Sequence, residues 1–276
     1  MKTAFVFPGQ GSQSVGMGKD LAEKYLDQAN QILGFDLKKV CFEGPEEELK
    51  KTEITQPAIL TVSIACHSRA SGNPVAVAGH SLGEYSALVA AGSLTFADAV
   101  KLVHLRGKFM QKAVPIGEGA MAAIIGGDND KIKTICAEVG NVWPANYNSP
   151  GQVVISGKKA SVEAAGIKIK ESGAKRVIPL AVSAPFHCPL MQPAADMLKT
   201  ELDKVEIKDA TIPVIANVTA DYVTKADEIR DLLYKQVTSP VLWEASIRKM
   251  IADGVESFEE VGPGKVLTGL IKKIRG

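Results

Sequence analysis

The stretch Val75-Ala-Val-Ala-Gly-His-Ser-Leu-Gly-Glu-Tyr-Ser-Ala-Leu-Val-Ala-Ala91 decides the fold. It begins with Val75 to Ala78, a short apolar run of the kind that forms a buried strand, and ends with the Ala-rich Glu84 to Ala91, which favours helix. Between them lies Gly79-x-Ser81-x-Gly83. In a strand, turn, helix setting this is the nucleophile-elbow pattern: the sharp turn exposes a serine hydroxyl, and small flanking residues avoid clashes. A bare GxSxG is common by chance, and the plain alternative is a glycine-rich turn with a solvated serine; the flanking strand and helix are what make the motif specific here. The helix after Ser81 points unpaired N–H groups and the positive end of its dipole at the serine. That makes the backbone N–H of Leu82 a candidate oxyanion donor.

Working outward, the chain opens with an apolar run, Ala4 to Phe7, a glycine-rich turn, Pro8 to Gly11, and a predicted helix from about Gly18 to Leu33. A second helix is expected to start after Pro57. Strands alternating with helices in this way predict an α/β fold with a mainly parallel sheet covered on both faces. Between Gly119 and Phe186 the rhythm changes to strand, helix, strand, strand, helix, strand: Ala120 to Ile125, Asp128 to Val139, Val142 to Asn146, Gln152 to Ser156, Ser161 to Ser172 and Arg176 to Val182. Asn148-Ser149-Pro150-Gly151 supplies the middle turn. This is the order of a split βαβ, ferredoxin-like unit. The expected organisation is a catalytic core from 1–118 and 187–276 and a small inserted subdomain from 119–186. The core pattern resumes with a helix near Leu190 to Leu202, strands at Val214 to Asn217 and Ser257 to Val261, and a last helix from Lys265.

Bulk properties narrow the function. With 276 residues, 46% hydrophobic and 23% charged, the chain can bury a large core. Lys and Arg total 32 against 31 Asp and Glu, so no overall basic field would hold nucleic acid or an anionic membrane. Cys41, Cys66, Cys136 and Cys188 show neither CxxC nor zinc-ligand spacing, so neither a disulfide framework nor a metal site is expected, and a reducing cytoplasm is the expected location. The apolar run near the N-terminus is too short for a secretory segment, and none reaches the ~18 residues a spanning helix needs.

Four motifs in order, Phe7-Pro-Gly-Gln-Gly-Ser-Gln13, Gly79-His-Ser-Leu-Gly-Glu-Tyr85, Leu105-Arg-Gly107 and Val261-Gly-Pro-Gly-Lys265, resemble the malonyl-CoA:acyl-carrier-protein transacylase family. The resemblance runs from the first strand to the last helix. It implies an α/β-hydrolase-like core with a ferredoxin-like insert, malonyl-CoA and acyl-carrier protein as partners, no bound cofactor and no metal. The expected unit is a monomer. A hydrolase of thioesterase type and a non-catalytic carrier-binding subunit are the rivals. Arg106 argues against the first, and the joint presence of Ser81 and a suitable base against the second.

A serine hydroxyl needs a positioned base, most often histidine. His80 lies inside the elbow and should point away from Ser81, while His67 and His104 fall on helix-like stretches where packing or solvation is the default. His187, in Ser183-Ala-Pro-Phe-His-Cys-Pro189, matches the family's catalytic histidine. Several acidic residues lie between Ser81 and His187, so spacing alone leaves a Ser-His-carboxylate triad open. The resemblance implies instead a dyad whose histidine N–H is held by a backbone carbonyl, that of Gln236. It also assigns Gln10 to the oxyanion hole and places Met121 and Asn146, with Gln56 and Asn217, around the site. Cys188, adjacent to His187 on an extended chain, should face the other way and pack.

Arg106 stands partly on its own pattern. Phe96, Ala99, Val103, Met110 and Val114 share one helix face, and Arg106 falls within that stripe. A buried guanidinium is costly unless paired, and its planar fork suits a carboxylate. An internal salt bridge is the plain alternative; the resemblance implies the free carboxylate of the malonyl group.

Overall fold

The first strand, β1 (Thr3–Phe7), is buried along its last four residues, and β2 (Ala76–Gly79) along all of them. Such runs belong to strands covered on both faces, where neither side alternates with water. A computed structural model describes residues 1–182 and 184–276. In it β1 and β2 pair in parallel with Phe7 opposite Gly79, and β9 (Ser257–Glu260) lies parallel on the far side of β1. Past β2, β7 (Val214–Ile215) is parallel and β8 (Tyr222–Val223) antiparallel, giving an open sheet of order β8-β7-β2-β1-β9.

Alternate residues of these strands face two helical layers. Phe5, Phe7 and Val77 join the cluster built with α1 (Glu23–Leu33), α2 (Leu37–Glu43), α3 (Glu46–Leu49), α4 (Thr52–His67), α5 (Gly83–Ala90) and α6 (Phe96–Lys112). Ala4, Val6, Ala76 and Ala78 face the second cluster, which includes Trp243, Ile247, Leu270 and Ile274 of α11 (Trp243–Ala252) and α12 (Val266–Arg275). Glu260 caps α12 by accepting from the backbone N–H groups of Leu267 and Thr268, so the glycine turn at Val261 to Lys265 serves as the entry to that helix.

A second sheet, order β4-β5-β3-β6, is formed by β3 (Gly119–Ile125), β4 (Val142–Ser149), β5 (Gln152–Lys158) and β6 (Arg176–Pro179), with every neighbour antiparallel. That is the ferredoxin-like order. Helices α7 (Asn129–Val139) and α8 (Lys159–Glu171) cover one face through Ile132, Val162 and Ile169 against Ala122 and Ile124. On the other face Met121, Ala123, Ala145 and Val154 belong to the main core with Leu82 and Tyr85. The period-two alternation of the strands thus joins the second sheet to the first.

Several local expectations are corrected. The first helix starts at Glu23, because Gly16 and Gly18 take positive φ in the preceding turns. Pro57 sits inside α4, which begins five residues earlier at Thr52. β6 stops at Pro179, short of Val182, and β7 and β9 are shorter than predicted. Helices α2, α3, α10 (Ala226–Gln236) and α11 and strand β8 were not anticipated, and α9 (Gln192–Leu202) is preceded by a single 3-10 turn at Pro189–Met191. Among the described residues no helix is long and apolar enough to cross a membrane.

Candidate active site

The site begins with a steric constraint. A side chain at Gly79 would bring its Cβ within 1.9 Å of Gly83 C, and one at Gly83 within 2.1 Å of Phe7 O, so only glycine permits the chain to turn here against β1. Ser81 at the apex has φ 52, in the left-handed region that costs a non-glycine residue roughly 1–3 kcal/mol and persists only where surroundings enforce it. They do: His80 N–H donates to Phe7 O (3.0 Å), Ser81 N–H to Asn217 Oδ1 (2.8 Å) and Gly83 N–H to His80 O (2.9 Å). The His80 ring turns away and meets Asn148 Oδ1 at 2.8 Å, on the second sheet.

His187, the residue predicted as base, reaches the elbow from a segment that also has positive φ, 58. Its Nε2 lies 2.6 Å from Ser81 Oγ, and its Nδ1 lies 2.9 Å from Gln236 O. A carbonyl only accepts, so Nδ1 carries the proton and Nε2 is left bare to receive the serine's. No carboxylate lies within 4 Å of the ring among the described residues, so the arrangement is a dyad with a backbone orienter. Burial, and after it the charge of Arg106, push the His187 pKa down to about 3, with the Gln236 carbonyl opposing. Ser183 of the predicted histidine motif lies outside the described residues. Cys188 is buried, its thiol pushed up to about 11 by burial, and Sγ donates to Pro185 O; it packs.

Arg106 projects from α6 and is 1% exposed. Nη1 donates to Gln56 Oε1 at 2.8 Å, and Nη2 to Gln236 Oε1 at 3.0 Å and Ser81 Oγ at 3.2 Å. Nε has no partner, and no Asp or Glu lies within 4 Å of the guanidinium among the described residues. The internal salt bridge allowed by the sequence is therefore absent among them. The guanidinium lies 5.7 Å from the Tyr85 ring centre.

Sequence reasoning missed one member of the cluster. Glu84, in the first turn of α5, is 2% exposed, and its Oε2 accepts from Asn217 N (3.0 Å) and Gln236 Nε2 (2.8 Å). Burial raises this carboxyl to about 7 against the lowering pull of Asn217, Gln236 and Arg106. Gln236 was singled out for its carbonyl, yet its side chain also joins Arg106, Glu84 and the Ser81 carbonyl. The advance signals for Glu84 were its place in the Gly79 to Tyr85 motif and its being the one charged residue of its helix.

Gln10, Ser81, Arg106, Met121, Asn146 and His187, together with Gln56, line one cavity of about 120 Å³. That is small beside the several hundred cubic ångströms of a drug-sized site and suits a short acyl group. Met121, Leu180 and Val182 also border an apolar groove of about 880 Å³ outside it. The backbone N–H groups of Gln10 and Leu82 have no acceptor among the described residues, which leaves both for an oxyanion.

Known proteins resemble the chain along nearly its whole length. The chain is 54% identical over 284 residues to the "Malonyl CoA-acyl carrier protein transacylase" of Escherichia coli (strain K12), covering 98% of this chain and 92% of that one. The protein of the same name from Bacillus subtilis (strain 168) is 54% identical over 286 residues, covering 99% and 90%. An acyl carrier protein S-malonyltransferase structure from Vibrio cholerae superposes with TM-score 0.96 at 49% identity, over 99% of this chain and 94% of that one. A type II PKS acyl-carrier protein in complex with its malonyl-transacylase, PlMCAT:AntF, contains a chain matching with TM-score 0.97 at 48% identity, over 99% and 93%. With the acyl transferase domain family matching residues 4–274, elbow, histidine and arginine included, the chain belongs to that family.

Proposed function

We propose that this chain transfers a malonyl group from malonyl-CoA to the phosphopantetheine thiol of acyl-carrier protein through a malonyl-Ser81 intermediate, in fatty-acid synthesis. The relatives' names supply donor and acceptor. The observation in this chain that carries the reading is a buried guanidinium, Arg106, 3.2 Å from Ser81 Oγ with no carboxylate of its own among the described residues. It supplies the missing partner for an acyl group that ends in a carboxylate.

In the first half-reaction His187 Nε2 takes the Ser81 proton as Oγ attacks the thioester carbonyl. The oxyanion rests on the N–H groups of Gln10 and Leu82. Collapse breaks the C–S bond, and the proton on Nε2 passes to the departing coenzyme A sulfur. In the second half-reaction the carrier's thiol gives its proton to His187 and attacks the malonyl ester, and the proton returns to Ser81 Oγ. Arg106 also tunes the base. Its charge is the second cause holding His187 low, so a malonyl carboxylate seated on Arg106 cancels that repulsion and strengthens the base when the correct donor is bound.

Mass spectrometry after mixing with malonyl-CoA tests the reading. A malonyl adduct on Ser81, absent in Ser81→Ala and stable until carrier thiol is added, is expected. No adduct would favour a binding subunit, and rapid release of free malonate without carrier would favour a hydrolase. We take 119–186 as an insert in a core of 1–118 and 187–276, an insert that contributes Met121, Asn146, Leu180, Val182 and Phe186 to the acyl cavity. The four unpaired cysteines support a cytoplasmic location.

A further inference from the structure

We infer that Gln56 and the side chain of Gln236 are selectivity-determining residues, two neutral amide oxygens that hold Arg106 in place while leaving its charge for the substrate. The inference rests on the proposed malonyl transfer and deepens it.

A guanidinium buried this deeply needs acceptors, and a carboxylate would be the usual one. Here both side-chain acceptors other than Ser81 are amides, at 2.8 Å on Nη1 and 3.0 Å on Nη2. Neither amide is free to turn over. Gln236 Nε2 is committed to Glu84 Oε2 and Ser81 O, so its oxygen is the end that faces Arg106. Gln56 Nε2 points to Met110 Sδ at 3.9 Å, a weak acceptor, and turning it would set N–H against N–H at Arg106. Gln56 is 2% exposed and Gln236 fully buried, so solvent does not compete for these oxygens.

The nearest carboxyl, Glu84, spends the oxygen it uses on Asn217 and Gln236 and forms no ion pair with Arg106. Its hydrogen-bonded link to the arginine runs through Gln236, while its charge attracts the guanidinium from farther off. The result is a cation fixed in direction by dipoles but not neutralised, with Nε still unpartnered. A donor ending in a carboxylate completes it. One ending in a methyl leaves a buried charge unsatisfied, the kind of mismatch that gives the largest discrimination between substrates.

Gln56 supplies the cleaner test, since among the described residues its side chain bonds only to Arg106 and Met110. The near-isosteric Gln56→Glu puts a permanent counter-ion 2.8 Å from Nη1, and Gln56→Met removes the acceptor without adding charge. Acylation rates of Ser81 are measured for each with malonyl-CoA and acetyl-CoA at sub-saturating concentration. Gln56→Glu is expected to lower the ratio of malonyl to acetyl acylation about 100-fold, the factor typical of spoiling a buried charge pair. Gln56→Met, which frees Nη1 without adding a charge, should lower the malonyl preference less than Gln56→Glu does. Acetyl acylation also reports that each variant is folded. Equal loss with both donors in Gln56→Glu, or an undiminished malonyl preference, would overturn the inference. Wild type that forms no malonyl adduct would overturn the proposed function with it, whereas wild type that does so beside an unaffected Gln56→Glu overturns this inference alone.

Discussion

Glu84 and His187 sit in the same buried cluster and respond to burial in opposite ways. The carboxyl titrates near 7 in the folded chain instead of 4.5, so between those values the folded state holds the extra proton and stability falls as pH rises. The imidazole is lowered from 6.5 to about 3, so its contribution is complete above 6.5 and is lost as pH falls toward 3. Between 4.5 and 6.5 the two slopes oppose one another. Glu84→Gln removes only the first. Denaturant unfolding from pH 5 to 8 should show the variant gaining on wild type as pH rises, by an amount on the order of 3 kcal/mol across the window. A difference that does not change with pH would refute this account. At this scale the sequence pointed to Ser81, His187 and Arg106, and folding brings all three within hydrogen-bond reach. Glu84 and the side chain of Gln236 were not legible in that way. Their roles depend on partners up to 155 residues away, and no motif spacing records an amide's direction.

The crossing of α4 and α6 explains two elements that sequence reading handled unequally. Proline is favoured in the first turn of a helix, hence the expectation of a start after Pro57. Inside α4 it removes the bond that the Glu53 carbonyl would have accepted, but His104 Nδ1 donates to that carbonyl at 2.8 Å from α6. The substitute donor lies 51 residues on, invisible to local pattern. His104, expected to pack or be solvated, thus repairs a neighbouring helix. Next along α6, a Cβ at Gly107 would come within 2.7 Å of Glu53 Cα and Thr52 O, so the glycine of Leu105-Arg-Gly107 sets how closely the helices approach and whether Arg106 reaches Gln56. Backbone atoms cannot move aside as a flexible side chain would. Gly107→Ala should lower stability by about 1–3 kcal/mol and reduce the ratio of malonyl to acetyl acylation; an unchanged ratio would mean the close approach does not serve the arginine. His104→Ala should cost about 1 kcal/mol, since the part-buried carbonyl loses its donor but stays within reach of water, read by thermal melting.

For the whole molecule, the legible parts were those with local signatures: the strands leading into the two glycine turns and the alternating order of the second sheet. Helices α10 and α11 and the short β8 escaped because their signals are weak alone and their placement comes from docking on the sheet. Topology and stability also divide the chain differently. Topology separates two sheets, yet Met121, Ala123, Ala145 and Val154 pack into the same core as Phe7 and Leu82. Backbone bonds cross the seam from Tyr147 N to Val241 O and from Val241 N to Ala145 O, each 2.9 Å, and His80 meets Asn148. A shared apolar interior of this kind should unfold as one unit. The two tryptophans report from opposite sides, Trp143 on β4 and Trp243 on α11. In Trp143→Phe the remaining fluorescence follows the parallel-sheet side, and in Trp243→Phe it follows the antiparallel one. Within each variant, fluorescence and far-ultraviolet circular dichroism should give coincident denaturant transitions. If the Trp143 signal were lost ahead of the dichroism, the second sheet would be melting on its own. The acyl cavity would then be framed by a wall that opens independently of the catalytic elbow.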